Sequence, residues 1–424
     1  MIVTRNLANG ARVVMEEIPH VRSAAIGVFV KIGSRHETEE SNGISHFLEH
    51  MIFKGTSTRT AREIAEQFEE MGGQLNAYTS KEYTCYYARV LDENINDAMD
   101  VLFDMLFNSH LNEKELDTER GVILEEINMY EDSPDELVHD VFNQTILVQH
   151  PLGRPILGTS EKVSAITQET IYKYYRSYYK PQNMIIAVAG NIKSDEIIAR
   201  LEKYNGFDPG QVGIITDGGQ PVSVQGINLV SKETEQVQIC LGVPSISYMD
   251  DRRYTQNIMN SILGGGMSSR LFQKLREEKG LAYSVYSYSS TYRDTGTYVI
   301  YIGTSPGKVE EFFGLLGDEL KDFADNGATE EELERTKKQM KASMYLGLES
   351  IMARMTRLGK SEMFYGKIVP VEEIMDKIYA VTPAMIRDFA AETLGGSQFT
   401  LASIGEASVL PKVEEEFRKI WPLN

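Results

Sequence analysis

The order of apolar patterns in the first half of the chain is repeated in the second half, and this repeat limits the possible folds more than any other feature. In each copy a long apolar strand precedes a helix, a pair of strands, further helices and a closing strand. The predicted strands of the first copy span 2–5, 12–16, 23–33, 75–80, 83–91 and 183–189, and those of the second span 236–243, 281–292, 297–303 and 398–404. We therefore predict an α+β fold of two tandem homologous domains, each a mainly antiparallel sheet packed with helices.

The stretch between the two copies is rich in glycine. Five glycines occur from Gly210 to Gly226, and the stretch has neither helical nor strand periodicity. Such a composition is typical of a linker. We predict a first, metal-binding domain at 1–210, a linker at 211–226 and a second domain without metal at 227–424.

Charge and composition argue against several classes of protein. The net charge of −19 and the pI near 4.9 argue against general nucleic-acid binding and favour basic or polar ligands. No apolar stretch approaches the roughly 18 residues of a membrane-spanning helix. The two cysteines form no metal-ligand or disulfide pattern, and the first residues do not resemble a signal peptide. We therefore expect a soluble, cytoplasmic protein, with removal of a transit peptide left open.

One segment of the first copy, Ile44 to Lys54, has the residues of a metal site. On a helix, His46, Glu49 and His50 lie on one arc about 100° wide. Two imidazoles four residues apart can bind one metal ion, with the carboxylate beside them. All seven histidines of the chain lie in its first 150 residues. A solvated polar edge is the alternative reading that these residues alone leave open.

A catalytic zinc ion needs a third protein ligand, and a second helix offers one. Glu119 and Glu126 are seven residues apart and share a helix face, with Val122 and Ile123 on the stripe between them. Glu125 points about 100° away and is expected to be solvated. Glu126 is therefore the better ligand, and Glu119 is suited to orient a ligating histidine. An exposed acidic helix is the alternative here.

The second copy lacks these ligands. When the helix that bears Glu119 and Glu126 is aligned with its counterpart, the two positions are taken by Thr336 and Ser343. The second copy has no histidine at the position of the metal helix. We predict that the chemistry is confined to the first copy.

Two further residues of the second copy, Arg276 and Tyr283, follow a glycine-rich segment at 263–271. This segment lacks the lysine pattern of a phosphate-binding loop, so a closely packed turn is expected. On residue chemistry alone, Arg276 is a surface arginine and Tyr283 a packing residue.

These motifs together resemble the pitrilysin family of zinc peptidases, which has an inverted H-x-x-E-H signature. The chain is most similar to the short, two-domain branch that includes the mitochondrial processing peptidase subunits and their bacterial relatives. Glu126 follows His50 by 76 residues, as the ligand glutamate does in that family, and Glu119 stands at the family's second acidic position. The resemblance extends to 72–77 and 276–283 and covers essentially the whole chain.

The resemblance implies a metalloendopeptidase that hydrolyses peptide bonds. One zinc ion per chain would be held by His46, His50 and Glu126, and Glu119 would orient a ligand. Glu49 would take a proton from the zinc-bound water and pass it to the leaving amine.

The resemblance also implies how the substrate is held. Asn76 and Ala77 match positions near the substrate, and Arg276 and Tyr283 match a pair that holds it from the opposite wall. Long members of the family have four such α+β units around a chamber, so a chain with two implies a homodimer. The expected substrate is an unfolded, possibly basic peptide such as a presequence.

Two alternatives remain from other functional classes. One is a non-catalytic core or scaffold subunit of the same fold, and the other is a module that binds basic peptides without cleaving them. The sequence also leaves open whether the partner is an identical chain or a non-catalytic paralogue.

Overall fold

The computed structural model describes residues 1–204, 210–396 and 398–422. The last part of the predicted first domain, 205–209, lies outside the described residues. The strands are β1 (Ile2–Asn6), β2 (Arg12–Glu17), β3 (Ser23–Val30), β4 (Gln74–Thr79), β5 (Thr84–Leu91), β6 (Met184–Gly190), β7 (Ile227–Ser231), β8 (Val237–Ser245), β9 (Ala282–Thr291), β10 (Gly296–Thr304) and β11 (Thr400–Gly405).

Helices pack with both sets of strands. They are α1 (Ile44–Ile52), α2 (Ala61–Glu70), α3 (Ile95–Asn108), α4 (Glu113–Glu131), α5 (Pro134–Ile146), α6 (Ser160–Ala165), α7 (Gln168–Tyr178), α8 (Ser194–Glu202), α9 (Arg253–Leu263), α10 (Val309–Asn326), α11 (Glu330–Gly347), α12 (Ile351–Tyr365), α13 (Val371–Tyr379), α14 (Pro383–Leu394) and α15 (Leu410–Ile420). A π-helical segment spans Phe272–Glu278. The sequence analysis did not predict α6 and α7.

The first sheet has six strands in the order β1-β2-β6-β3-β5-β4. Only the β2–β6 pair is parallel, and the other four pairs are antiparallel. The central strand β3 is buried at every position after Ser23 because its sequence is almost entirely apolar. In the part of the chain that the structure describes, the strand β4 lies at the edge of the sheet and pairs with β5 alone.

The second sheet repeats this topology without a counterpart of β1. Its five strands have the order β7-β11-β8-β10-β9, and only the β7–β11 pair is parallel. Each strand thus has an equivalent in the run β2-β6-β3-β5-β4 of the first sheet. The predicted fold of two repeated, mainly antiparallel α+β units is confirmed.

Each sheet is covered in part by a helix from the other half of the sequence. The helix α12 packs on β2, β3 and β6, and α5 packs on β8 and β11. The contact of α12 is close, since a Cβ atom on Gly359 would lie 2.1 Å from a ring carbon of buried Phe29. An additional methyl group there would have no room.

The compact units are therefore discontinuous in sequence. The first unit comprises Met1–Asn128, Arg154–Gly218 and Met344–Ile368, and the second comprises Met129–Gly153, Gly219–Ser343 and Val369–Asn424. The predicted linker at 211–226 separates the two sequence copies, whereas each compact unit also includes a segment from the other copy. Among the described residues, no helix combines the length and the apolar character required to cross a membrane.

Candidate metal centre

The helix α1 is fixed in the first unit by its apolar face and by its N-terminus. Five of its side chains are buried in the core, namely Ile44, Phe47, Leu48, Met51 and Ile52. The hydroxyl groups of Ser45 and Tyr174, a residue of α7, are 2.8 Å apart. This packing leaves the arc that bears His46, Glu49 and His50 directed away from the core.

A buried carboxylate, Glu37, satisfies the first amide groups of α1. It accepts hydrogen bonds from the backbone N–H groups of Gly43, at 2.8 Å, and Ser45, at 2.9 Å. Burial raises the pKa of Glu37, although these hydrogen bonds act in the opposite direction. The sequence analysis missed this residue, because a carboxylate seven residues before the first residue of a helix forms no standard capping pattern.

Three potential ligand atoms converge beside α1. Oε2 of Glu126 lies 3.8 Å from Nε2 of His46 and 3.6 Å from Nε2 of His50. Bonds of about 2.1 Å to a tetrahedral zinc ion would place such donors roughly 3.4 Å apart. The two separations that involve Glu126 are near this value, and all three donor atoms lie within 4.8 Å of one another, so this set of two imidazoles and one carboxylate suits zinc. Within the described parts of the chain, these residues form the only group of three or more His, Cys, Asp or Glu side chains suited to a metal.

The environment of His46 keeps its imidazole neutral. Burial, with a smaller contribution from nearby His50, lowers the pKa of His46 to about 3. A neutral imidazole is the form that binds a metal ion.

A hydrogen-bonded chain of side chains orients His50. Its Nδ1 lies 2.7 Å from Oε1 of Glu119, and the other carboxylate oxygen of Glu119 lies 2.6 Å from Nζ of Lys54. Burial acts to raise the pKa of Glu119, but the hydrogen bonds from His50 and Lys54 outweigh it and the pKa is lowered. With Nδ1 engaged, Nε2 of His50 is directed toward Glu126. The sequence analysis missed Lys54, for which helix spacing gives no signal.

The carboxylate of Glu49 lies beside the ligand group and accepts a hydrogen bond from Oγ1 of Thr79 at 2.5 Å. Burial raises the pKa of Glu49, and the hydrogen bond from Thr79 offsets only part of this effect. Six residues line an adjoining cavity of about 270 Å³, namely Glu49, His50, Phe53, Lys54, Asn76 and Glu119. The carboxylate of Glu49 therefore has access to a space that can hold a ligand.

The helix α4 separates its acidic residues much as its periodicity predicts. Glu119 is buried, Glu126 is partly buried and Glu125 is exposed. The expectation for the stripe between Glu119 and Glu126 is half wrong, since Ile123 is fully buried whereas Val122 is 49% exposed. The apolar contact of α4 is thus narrower than a stripe formed by both residues.

The predicted substrate-binding residues lie on two different units. Asn76 and Ala77 are on the edge strand β4 of the first unit, and Asn76 lines the cavity. In the second unit, the guanidinium of Arg276 lies 5.1 Å from the ring centroid of Tyr283, which is 78% exposed. The structure brings Arg276 and Tyr283 together as a pair, and their role toward the metal site stays a prediction.

The chain combines a repeated α+β fold, a helix with the H-x-x-E-H residues and a glutamate from a second helix beside them. The H-x-x-E-H residues are the signature of the inverted zincin class of metallopeptidases. The chain matches two family models, described as insulinase (peptidase family M16) over residues 12–160 and as peptidase M16 inactive domain over 165–340. The chain therefore belongs to peptidase family M16, the insulinase or pitrilysin family.

Curated relatives of this chain are named as zinc proteases. A Bacillus subtilis protein named as an uncharacterized zinc protease, YmxG, is 46% identical over 97% of this chain and 100% of the relative. A Streptomyces coelicolor protein, also named as an uncharacterized zinc protease, is 43% identical over 92% of this chain and 86% of the relative. The chain is thus a member of a group of zinc protease homologues.

Solved structures share the fold. A peptidase M16 inactive domain from Pseudomonas fluorescens has a TM-score of 0.89 at 20% identity, covering 96% of this chain and 98% of that one. A protease from Helicobacter pylori has a TM-score of 0.89 at 23% identity, covering 96% of this chain and 99% of that one.

Proposed function

We propose that the protein is a zinc-dependent endopeptidase that hydrolyses unfolded peptides, with one zinc ion per chain held by His46, His50 and Glu126. The observation that carries the proposal is the convergence of these three donors, at 3.6 and 3.8 Å, beside the carboxylate of Glu49. The hydrogen bond that Nδ1 of His50 donates to Glu119 supports it, because ligating histidines are usually oriented in this way.

The roles of the individual groups follow from their chemistry. Bound zinc would polarise the scissile carbonyl and lower the pKa of a water molecule toward about 7. Glu49 would accept a proton from the attacking water and deliver it to the leaving amine. Its partial burial suits this task, because a raised pKa brings a carboxylate closer to the pH at which it must both accept and donate a proton.

The edge strand β4 is a suitable place for an extended substrate. Among the described residues, no strand pairs with its outer side, so a peptide can be added there through backbone hydrogen bonds. Asn76 and Ala77, in the middle of β4, would contact that peptide. The charge of −19 favours basic peptides, including presequence-like segments.

The proposal can be tested by removing and restoring the metal. We expect a chelator to abolish cleavage of unstructured basic peptides and stoichiometric zinc to restore it, as measured by mass spectrometry of the products. Metal content is determined on the same samples. A protein that holds no zinc and cleaves nothing would be the scaffold alternative, and one that binds peptides without cleaving them would be the binding module.

We further propose that two chains form a homodimer around a chamber. In this dimer Arg276 and Tyr283 of one chain complete the metal site of the other. Tyr283 is exposed and its ring contacts the guanidinium of Arg276. This exposure supports the proposal, because an exposed pair can contact a peptide held by another chain. A cytoplasmic location stays a prediction.

Mixing two inactive variants tests the shared site. In a dimer of a Glu49→Gln chain with an Arg276→Ala chain, one site carries both substitutions and the other carries neither. We expect activity to return in proportion to the mixed dimers, about half of all dimers if exchange is random.

The control is a mixture of Glu49→Gln with Glu126→Gln, which leaves no intact site and should stay inactive. Absence of recovery in the first mixture, despite subunit exchange shown by mass spectrometry, would contradict a site shared between chains.

A further inference from the structure

The hydroxyl group of Thr79 is placed to hold the carboxylate of Glu49. Oγ1 of Thr79 donates a hydrogen bond to Oε2 of Glu49 at 2.5 Å. We propose that Thr79 is a positioning residue that fixes the orientation of this carboxylate for proton transfer. The inference rests on the proposed function, and it adds a residue to which sequence analysis assigned no role.

The Glu49 carboxylate is hydrogen-bonded by the side chain of Thr79, and the backbone of Thr79 contributes a second, weaker interaction. A glutamate side chain can rotate about three bonds, so a carboxylate without a fixed partner samples many orientations. Proton transfer needs the acceptor oxygen within hydrogen-bonding distance of the water. The hydrogen bond from Oγ1 of Thr79 is the larger of the two interactions, so its loss should reduce the fraction of time that the Glu49 carboxylate is correctly placed.

Thr79 is itself held by a tightly packed turn. It is the last residue of β4, and it is paired with Thr84 at the start of β5. In the turn between these strands, the carbonyl of Ser80 accepts from the N–H of Ser34 at 3.2 Å, and the carbonyl of Lys81 accepts from the N–H of Arg35 at 2.7 Å. The side chain of Arg35 is almost completely buried.

Gly33 allows this close approach of the two chain segments. A Cβ atom on Gly33 would lie 2.3 Å from the carbonyl oxygen of Ser80, so any larger residue would displace the turn. These contacts hold the backbone of the turn that directly follows Thr79, so the strand end that bears the hydroxyl group has little freedom to move.

The strand β4 then has two tasks. Ala77 and Thr79 are two residues apart, so their side chains lie on the same face of β4. This face is directed toward α1, because Ala77 packs against the hydrophobic core to which α1 contributes. The strand proposed to bind the peptide also carries the group that orients the proton acceptor. A shift of β4 relative to α1 would therefore disturb substrate and base together.

The test compares Thr79→Val, which removes the hydroxyl group at nearly constant volume, with Thr79→Ser, which retains it. Loss of a hydrogen bond to a charged group is expected to lower kcat about 10- to 100-fold. We expect KM, zinc content and the melting temperature to change little, and Thr79→Ser to stay within about 3-fold of the original kcat. If Thr79→Val does not fold, Thr79→Ala replaces it with the same expected result.

Thr58→Val is the matched control. Oγ1 of Thr58 donates to Oδ2 of Asp104 at 2.9 Å, so this variant also loses a threonine–carboxylate hydrogen bond, but away from the metal site. Its kcat should not change. An unchanged kcat in the Thr79→Val variant, or a decrease equal to that of Thr58→Val, would overturn the inference.

Binding of a dipeptide hydroxamate separates this inference from the proposed function. The Glu49 carboxylate would take up the hydroxyl proton of this inhibitor, so its affinity reports the orientation of Glu49 without turnover. We expect Thr79→Val to weaken binding about 10-fold by calorimetry, and Thr58→Val to leave it unchanged. If the zinc-loaded original chain cleaves no peptide, the proposed function is wrong. If the original chain and the Thr79→Val variant bind the hydroxamate with equal affinity, the role of Thr79 is wrong, whether or not the chain cleaves peptides.

Discussion

Replacing Glu49 by glutamine is expected to lower kcat/KM by about 10³-fold, because the amide cannot accept the proton of the attacking water. The side chain keeps its size and can still accept the hydrogen bond from Thr79. Zinc content should be nearly unchanged, since Glu49 is not in the His46–His50–Glu126 ligand group. Turnover is measured with a fluorogenic peptide, and metal by mass spectrometry of the same preparation.

Two results would contradict this assignment of Glu49. Substantial residual turnover, above about a tenth of the original, would mean that another group takes the proton. Loss of zinc together with activity would mean that Glu49 supports the metal rather than the proton transfer.

The second large effect is expected in zinc affinity, which should differ between substitutions of the adjacent residues Glu125 and Glu126. We expect Glu126→Gln to weaken zinc binding at least 100-fold, since even groups that only orient ligands contribute about 10- to 100-fold. Oε2 of Glu126 is within 3.8 Å of both histidine nitrogens, whereas Glu125 is exposed. Glu125→Gln should therefore change neither zinc affinity nor turnover.

Zinc affinity is measured by competition with a chromogenic chelator, and circular dichroism verifies that both variants remain folded. The two substitutions are identical in chemistry and adjacent in sequence, so they separate a ligand from a general effect of charge. If Glu125→Gln lost zinc and Glu126→Gln retained it, the ligand assignment would be shifted by one residue.

Much of the candidate site was predictable because helix geometry is local. The spacing of His46, Glu49 and His50 places these side chains on one arc wherever the helix lies. The seven-residue interval from Glu119 to Glu126 likewise places both carboxylates on one face of α4. The structure places Oε2 of Glu126 within 3.8 Å of both histidine nitrogens, a convergence of two helices that spacing within each helix does not specify.

The contacts of Lys54, Thr79 and Glu37 were not predictable in the same way. Each forms its hydrogen bonds or ion pair with a different element or loop, so no fixed interval in the sequence connects the partners. Only the tertiary structure around α1 determines which of these polar groups meet.

The sequence by itself determined the repeated α+β unit, the confinement of the ligand residues to the first copy and the helix that bears the H-x-x-E-H residues. These properties follow from periodicity and from residue identity, which are both local. The tertiary structure decided that α12 packs on the first sheet and α5 on the second. An amphipathic pattern specifies that a helix buries one face, but it does not specify which of two similar sheets receives that face. That choice depends on close fits such as Gly359 against Phe29, which exist only once the chain has folded.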